Sequence, residues 1–216
     1  MTTQVLFIRH GETDWNRIKR IQGHIDIPLS EHGFLQAEQL GARLARENRI
    51  DAVYSSDLQR AQQTARPFAD ALGLELRLSE KLRERFYGAF QGHDSDEISD
   101  KFPAEYVEWQ TRDPGFSPPG DGESQRVFYH RVVHAMEPIV AAHPGGRIAV
   151  VAHGGVLDCI YRFAMKLSLQ EPRMWPLLNC SVNVVDFEGG GAMVVSWGDV
   201  THLTTDTDDD SFRRKV

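Results

Sequence analysis

Cysteine and excess positive charge are both in short supply in this sequence. Its 216 residues include two cysteines, Cys159 and Cys180, which form no C-x-x-C pair and so indicate neither a zinc site nor a disulfide framework. We expect two inert thiols, with a single disulfide as the alternative. Basic residues number 24 and acidic residues 31, for a formal net charge of −7. Binding to nucleic acid or to an anionic membrane needs a basic face, so the composition disfavours both partners.

Long apolar runs and the common catalytic motifs are also missing. No apolar run approaches the ~20 residues that cross a bilayer. The N-terminus lacks the basic start and long apolar stretch of a signal peptide, so we expect a cytoplasmic protein. There is no P-loop, G-x-S-x-G elbow or G-x-G-x-x-G turn. His130 and His134 have the spacing of a zinc-binding helix, but Arg131 replaces the glutamate base, which favours a solvated helix face.

Short apolar segments alternate with helical patterns along the chain. The predicted strands are 5–8, 52–54, 74–78 and 148–152, followed by a hairpin over 182–197. The predicted helices are 31–47, 57–72, 123–142 and 156–167. Ser30 and Asp57 are candidate N-caps for the first two helices. This order predicts an α/β fold, a three-layer sandwich with a largely parallel central sheet and helices on both faces.

Residues 1–203 are predicted to form one domain, because a domain typically takes ~100–200 residues. The segment 94–121 is rich in proline and lacks a strand pattern, so we expect a helical and loop lobe inserted over the site. Residues 204–216 are predicted to be a disordered tail. The hairpin at 182–197 could offer a sheet edge for a homodimer.

Charged side chains and glycines follow two predicted strands at their carboxyl ends, where ligands bind in open α/β sheets. Arg9 and His10 follow the first strand, and His153 and Gly154 follow the strand 148–152. A fixed cation, an imidazole that can attack phosphorus and a glycine that lets the backbone approach closely suit a phosphate group. Alone, the Arg9-His10 pair could merely cap a turn, but a histidine followed by a glycine at each of two strand ends favours a site.

Two further side chains could reach the site at the carboxyl ends of these strands. Arg60 lies one turn into the predicted helix 57–72, and Glu84 follows the predicted strand 74–78. A glutamate there could protonate the oxygen that leaves phosphorus. Two arginines and a second imidazole could stabilise the charge of a transferring phosphoryl group without a metal ion.

The blocks around these residues, taken in order, resemble those of the histidine phosphatase superfamily, which holds the cofactor-dependent phosphoglycerate mutases and many phosphatases. The resemblance spans about residues 4–200 of the chain. It is carried by Arg9-His10-Gly11-Glu12-Thr13, Trp15-Asn16, Gln22-Gly23, Pro28-Leu29-Ser30, Ser55-Ser56-Asp57-Leu58-Gln59-Arg60-Ala61, 82–92, Gly122-Glu123-Ser124 and Ala152-His153-Gly154-Gly155. Each block alone is weak, but the ordered set is specific.

The resemblance implies a role for each matching position. His10 would be the nucleophile that becomes phosphohistidine, and Glu84 the proton donor. The acid-phosphatase branch has an aspartate directly after the second histidine; Gly154 stands there in this chain, which leaves Glu84 as the visible acid. The implied phosphate-binding residues are Arg9, Asn16, Arg60, His153 and Gly154, and the substrate-binding ones are Gln22, Gly23 and Tyr87. The implied ligand is a small phosphorylated metabolite. No metal or cofactor is implied, except 2,3-bisphosphoglycerate as a primer if the chain is a mutase.

The same pocket could serve a phosphatase or a phosphoglycerate mutase, and we expect the phosphatase. The chain is shorter than a typical mutase, Ser95 stands at the position of a mutase lysine, and Arg112 has no arginine neighbour in the lobe. The Gln22-Gly23 pair also resembles the broad-specificity phosphatases. Tyr87 matches a substrate-contacting tyrosine of the mutases and favours the alternative. A non-catalytic module that binds phosphorylated ligands is a third possibility, which the intact set of site residues disfavours.

Overall fold

A six-stranded mixed sheet forms the centre of the molecule. The structure is a computed structural model that describes residues 1–47 and 49–204, so the predicted tail lies outside the described residues from 205 onward. The strands are β1 (Thr3–Arg9), β2 (Ala52–Ser56), β3 (Leu76–Ser79), β4 (Arg147–Ala152), β5 (Val182–Glu188) and β6 (Gly191–Asp199). Their order across the sheet is β3-β2-β4-β1-β5-β6.

The first four strands run parallel, and β5 and β6 form an antiparallel hairpin at one edge. Strand β1 pairs in parallel with β4 and antiparallel with β5. Strand β2 pairs in parallel with both β3 and β4. The sequence prediction of a largely parallel sheet with an edge hairpin is confirmed. The homodimer predicted at this edge stays a prediction.

Helices cover both faces of the sheet. They are α1 (Asp14–Arg17), α2 (Glu31–Glu47), α3 (Gln59–Leu72), α4 (Ser95–Lys101), α5 (Pro103–Gln110), α6 (Gln125–Ala141) and α7 (Gly154–Met165). Successive residues of a strand point to opposite faces. Leu6 and Ile8 of β1 therefore pack with α2 and α3, whereas Val5 and Phe7 pack with α6 and α7. These two apolar layers make the predicted three-layer sandwich. No helix within the described ranges is long and apolar enough to span a membrane.

The starts of α2 and α3 differ in how their backbone N–H groups are satisfied. Ser30 caps α2 as predicted, since its Oγ accepts a first-turn N–H at 3.0 Å. Asp57 does not cap α3, so that prediction is wrong. The first N–H of α3 is bound at 2.7 Å by the Asp26 carboxylate, which comes from a distant loop. Asp57 instead accepts from Nε of Arg83 at 2.8 Å.

The segment 94–121 forms α4, α5 and their connecting loops. Its buried Ile98 and Phe116 close over a small apolar cluster with Ile21 and Phe90, separate from the two main layers. Because Ile21 also lines the cleft described below, the segment rests on one wall of that cleft. The division of the chain into one domain, 1–203, with this segment as an inserted lobe stays a prediction.

Candidate active site

The carboxyl ends of β1 and β4 bring two imidazoles together. The two strands are neighbours, and their register places Arg9 opposite Ala152. The backbone N–H of His10 donates to Ala152 O at 3.0 Å. Arg9 and Ala152 are each followed by a histidine. The ring centroids of these two histidines, His10 and His153, lie 5.2 Å apart at an interplanar angle of 60°. Both rings are buried.

The hydrogen bond of the His10 ring fixes which nitrogen can react. Nδ1 lies 2.7 Å from the carbonyl oxygen of Gly11. A carbonyl only accepts, so Nδ1 carries the proton and the neutral ring keeps its lone pair on Nε2. Burial lowers the pKa of His10 well below its ordinary value, and the charges of Arg60 and Arg9 lower it further. The free ring is therefore neutral at physiological pH, as a nucleophile must be.

Two buried guanidinium groups stand beside the imidazoles. Arg9 is held by a hydrogen bond from its Nη1 to the carbonyl oxygen of Leu177. Arg60 is the second residue of α3, because the helix begins at Gln59 rather than at the predicted residue 57, and it donates from Nη1 to Ile25 O at 3.0 Å and from Nη2 to Gly23 O at 2.8 Å. These bonds fix both cations next to His10. A fixed pair of this kind suits the oxygens of a phosphoryl group.

The His153 ring has unsatisfied hydrogen-bonding capacity. Both of its ring nitrogens are buried and have no hydrogen-bond partner within the described part of the chain. Burying an unpaired polar atom costs roughly 1–3 kcal/mol, so a ligand that pairs with the ring recovers that cost. Burial, followed by the charge of Arg60, lowers the pKa of His153 well below its ordinary value. Gly154 begins α7 directly after the ring, as the positive end of a helix dipole.

Glu84 is fixed at the start of the same helix. Its Oε1 accepts the backbone N–H of Arg85 at 2.7 Å, and its Oε2 accepts the N–H of Gly155 at 2.9 Å. A β-carbon on Gly155 would lie 2.2 Å from Oε1 of Glu84, so a glycine is required for this approach. The carboxyl group is thus tied to the helix that follows His153.

A cleft of about 440 Å³, counting its open mouth, joins most of the predicted residues. Its lining is His10, Lys19, Arg20, Ile21, Gln22, Gly23, Arg60, Glu84 and Tyr87. Arg9, His153 and Gly154 lie directly behind His10 on the strand ends. Asn16 is buried nearby in α1, where its Oδ1 accepts the N–H and the hydroxyl of Thr13, both at 3.0 Å. These bonds use only the amide oxygen of Asn16. Asn16 is not among the residues that line the cleft, and its role in binding phosphate stays a prediction.

Comparison with known proteins shows the family to which the chain belongs. The family model of the histidine phosphatase superfamily (branch 1) matches residues 5–200. The chain belongs to the histidine phosphatase superfamily. Two Arabidopsis thaliana proteins are each 40% identical to it: phosphoglycerate mutase-like protein 4, over 93% of this chain and 86% of that protein, and metal-independent phosphoserine phosphatase, over 94% and 84%.

A solved structure has the same fold. A mutant of the phosphoserine phosphatase from Entamoeba histolytica, in complex with phosphoserine, superposes with a TM-score of 0.82 at 26% sequence identity. The match covers 93% of this chain and 99% of that one. The resemblance that the sequence motifs indicated is therefore confirmed at the level of the superfamily and its fold.

Sequence reasoning missed two residues of this histidine phosphatase site. The sequence motifs assigned no role to His24, yet it is half-buried and its Nε2 lies 2.8 Å from the backbone oxygen of Glu84. The sequence motifs likewise assigned no role to Arg131, yet it reaches the loop that carries Glu84. The available signal was the Gly122-Glu123-Ser124 block, because Glu123 holds Arg131 in place.

Metal ligands and reactive thiols are scarce around the site. Over 1–47 and 49–204, no group of three or more His, Cys, Asp and Glu side chains could hold a metal ion. Metal independence itself stays a prediction. Cys159 and Cys180 are buried and unbonded to each other, and burial raises the pKa of both thiols. They are the inert thiols that the sequence predicted.

Proposed function

We propose that this chain is a phosphomonoesterase that hydrolyses small phosphorylated metabolites through a phosphohistidine at His10. The observation that carries the proposal is the neutral, oriented His10 ring, whose Nε2 lone pair lies in a cleft with Arg60 and Glu84. Arg9, Arg60 and His153 bind the phosphoryl oxygens, and the N-terminus of α7 at Gly154 adds its dipole. The chemistry needs placement and charge stabilisation, both of which these side chains supply.

In the first step, Nε2 of His10 attacks phosphorus in line with the ester oxygen. The P–N bond forms while the P–O ester bond breaks, and the leaving oxygen takes a proton from Glu84. The nearby dianionic phosphate favours the protonated form of the carboxyl group before transfer. A well-placed general acid typically contributes ~10²–10⁴-fold to the rate.

In the second step, water attacks phosphorus and gives its proton to the Glu84 carboxylate. The P–N bond breaks, its electron pair returns to Nε2, and inorganic phosphate leaves. Gln22, Gly23 and Tyr87 contact the organic part of the substrate from the cleft wall. No cofactor takes part in this cycle.

Two features of the segment 94–121 favour a phosphatase over a mutase. Ser95, at the position of the mutase lysine, lies 3.0 Å from the hydroxyl of Tyr106 inside the segment. Arg112 donates to Glu171 O at 3.0 Å, so it is engaged by another loop. The segment thus lacks the mutases' basic cluster for a phosphoglycerate carboxylate. The mutase remains the second candidate because Tyr87 lines the cleft, and it alone would need 2,3-bisphosphoglycerate as a primer.

Phosphorus NMR distinguishes these outcomes in one experiment. We would incubate the enzyme with phosphoserine, or with 3-phosphoglycerate and a trace of 2,3-bisphosphoglycerate, with H10N as the inactive control. Growth of inorganic phosphate is expected. Growth of 2-phosphoglycerate without matching phosphate would identify a mutase. No turnover of these compounds or of an aryl phosphate would identify a binding module and contradict the proposal.

A further inference from the structure

Glu84 lies in a stretch of backbone that has little regular structure of its own. A short 3-10 turn ends at Leu82, and the chain from Arg83 to Tyr87 belongs to no helix or strand. Such a stretch does not by itself hold a side chain to the tolerance that proton transfer requires. A misplacement of about 1 Å can cost ~10²-fold in rate. The position of Glu84 must therefore come from neighbours.

One guanidinium from α6 binds three carbonyl groups of this stretch. Nη1 of Arg131 donates to Lys81 O at 2.9 Å and to Arg83 O at 3.0 Å. Its Nη2 donates to Glu84 O at 3.0 Å. A planar group with rigidly spaced donors fixes these carbonyls relative to each other, which a lysine cannot do. Arg131 thereby sets the path of the backbone on which Glu84 is mounted.

Glu123 binds Arg131 and also binds the backbone of Phe86, near the C-terminal end of the same stretch. Its Oε1 accepts from Nε of Arg131, and its Oε2 accepts from Nη2, both at 2.7 Å. Oε2 also accepts the backbone N–H of Phe86 at 2.8 Å, and the Glu123 N–H donates to Phe86 O at 2.7 Å. Although burial alone would raise it, hydrogen bonds from Arg131 and Phe86 lower the pKa of Glu123. The Glu123 carboxylate therefore stays ionised at neutral pH.

His24 connects the stretch to the phosphate side of the cleft. Its Nε2–H donates to Glu84 O at 2.8 Å, and its ring packs on Phe86 with centroids 5.1 Å apart. The preceding residue, Gly23, accepts from Arg60, which lies beside His10. A chain of contacts thus runs from the nucleophile's surroundings to the backbone of the acid.

We propose that Arg131, Glu123 and His24 are positioning residues that hold the Glu84 backbone so that its carboxyl group stays at the N-terminus of α7, within reach of a leaving oxygen. This inference rests on the proposed role of Glu84 as the acid. None of the three residues needs to touch substrate. Their loss would leave the nucleophile and the phosphate-binding cations in place while the acid is displaced.

The test uses two aryl phosphates of similar shape but different leaving ability. Loss of a general acid slows phenyl phosphate, a poor leaving group, far more than 4-nitrophenyl phosphate, whose leaving oxygen needs little protonation. For R131M we expect the rate constant of phosphoenzyme formation from phenyl phosphate to fall at least ~10-fold more than the rate constant from 4-nitrophenyl phosphate. R126M is the matched control on the same helix, because its side chain is exposed, and it should leave the ratio unchanged.

E84Q separates failure of this inference from failure of the proposed function. If E84Q itself shows no dependence on the leaving group, the assignment of the acid is wrong. If E84Q shows the dependence and R131M slows both substrates equally, Arg131 is merely structural and the inference is overturned.

A second set of variants keeps the inference falsifiable if R131M does not fold. H24F keeps a ring against Phe86 but removes the donor to Glu84 O, whereas H24Q keeps a donor at the same reach. We expect H24F to lower the ratio of the phenyl to the 4-nitrophenyl rate and H24Q to restore much of it. Equal ratios in H24F, H24Q and the unmodified protein would overturn the role of His24.

Discussion

At the scale of single residues, the surroundings of His10 make a positive charge on its ring costly. Burial is the largest cause, and the charges of Arg60 and Arg9 add to it. The hydrogen bond to Gly11 O acts in the opposite direction, yet it also aims the free lone pair. The same arginines that would bind phosphate therefore keep the nucleophile unprotonated before the phosphate arrives.

Replacing Arg60 by glutamine should raise the pKa of the His10 ring. The substitution removes the second-largest cause of its depression while leaving burial in place. The acidic limb of phosphoenzyme formation should move to higher pH with it. Titration of the ring nitrogens by NMR in the free protein measures the shift, with R126Q, an exposed arginine, as the control. Identical titrations of R60Q and the unmodified protein would show that Arg60 does not tune the nucleophile.

At the scale of elements, the junction of β4 and α7 combines three tasks in four residues. The strand end places His153 beside His10, Gly154 begins the helix, and Gly155 donates its N–H to Glu84. The close approach of the Glu84 carboxylate leaves no room for a side chain at 155. Gly155 is therefore a requirement of the site rather than of the helix.

Replacing Gly155 by alanine should reduce activity without reducing stability. The new β-carbon would lie 2.2 Å from Glu84 Oε1, and the flexible carboxylate would move away. Alanine favours a helix over glycine by roughly 0.5–1 kcal/mol, which offsets the cost of crowding the Phe128 ring 3.0 Å from the new β-carbon, so the free energy of unfolding should change little. We expect at least a ~10-fold loss in kcat for phenyl phosphate. G191A, at an open position on β6, is the control, and near-normal turnover of G155A would contradict the required proximity.

Local motifs could predict the elements but not the partners that cross between them. The apolar runs ending at His10 and His153 identified two strands and their functional ends, because ligands collect at such ends. Helix periodicity could not show that Arg131 of α6 would reach Glu84 O, 47 positions away in sequence. His24 escaped notice for the same reason, since its partner comes from a distant loop.

At the scale of the whole molecule, the strand order assembles one site from distant segments. Because β4 lies between β2 and β1, the chain returns to place His153 between the contributions of Arg60 and His10. The sequence predicted a largely parallel sheet, but not this order, which no local pattern specifies. Two imidazoles are buried in neutral form at the carboxyl ends of the central strands β1 and β4. Their burial makes the free energy of unfolding depend on pH.

The free energy of unfolding should fall as the pH falls below ~6.5, the ordinary histidine pKa. The pKa values of His10 and His153 are lowered by folding, so the unfolded chain binds protons that the folded chain excludes. Each ring contributes a slope of at most ~1.4 kcal/mol per pH unit in this range. Urea unfolding at a series of pH values from 7.5 to 5.5 measures this dependence of the free energy of unfolding on pH.

A double variant isolates the two buried rings. H10Q/H153Q should make the free energy of unfolding less dependent on pH between pH 7.5 and 5.5, because neither glutamine titrates. His24 and His202, whose pKa values burial also lowers, should account for part of the dependence that remains. H134Q, which removes an exposed ring on α6, should leave the slope as it is. An equally steep dependence in the double variant would mean that other groups dominate the acid sensitivity.

Trapping the phosphoenzyme shows directly which side chain takes the phosphoryl group. The protein is mixed with 4-nitrophenyl phosphate, quenched in alkali within the first turnover and digested, and the phosphoryl group is located by mass spectrometry. If His10 is the nucleophile, the protein carries one phosphoryl group on His10, and H10N carries none. Release of phosphate at the normal rate by H10N, or a phosphoryl group trapped on His153 instead, would contradict this role of His10.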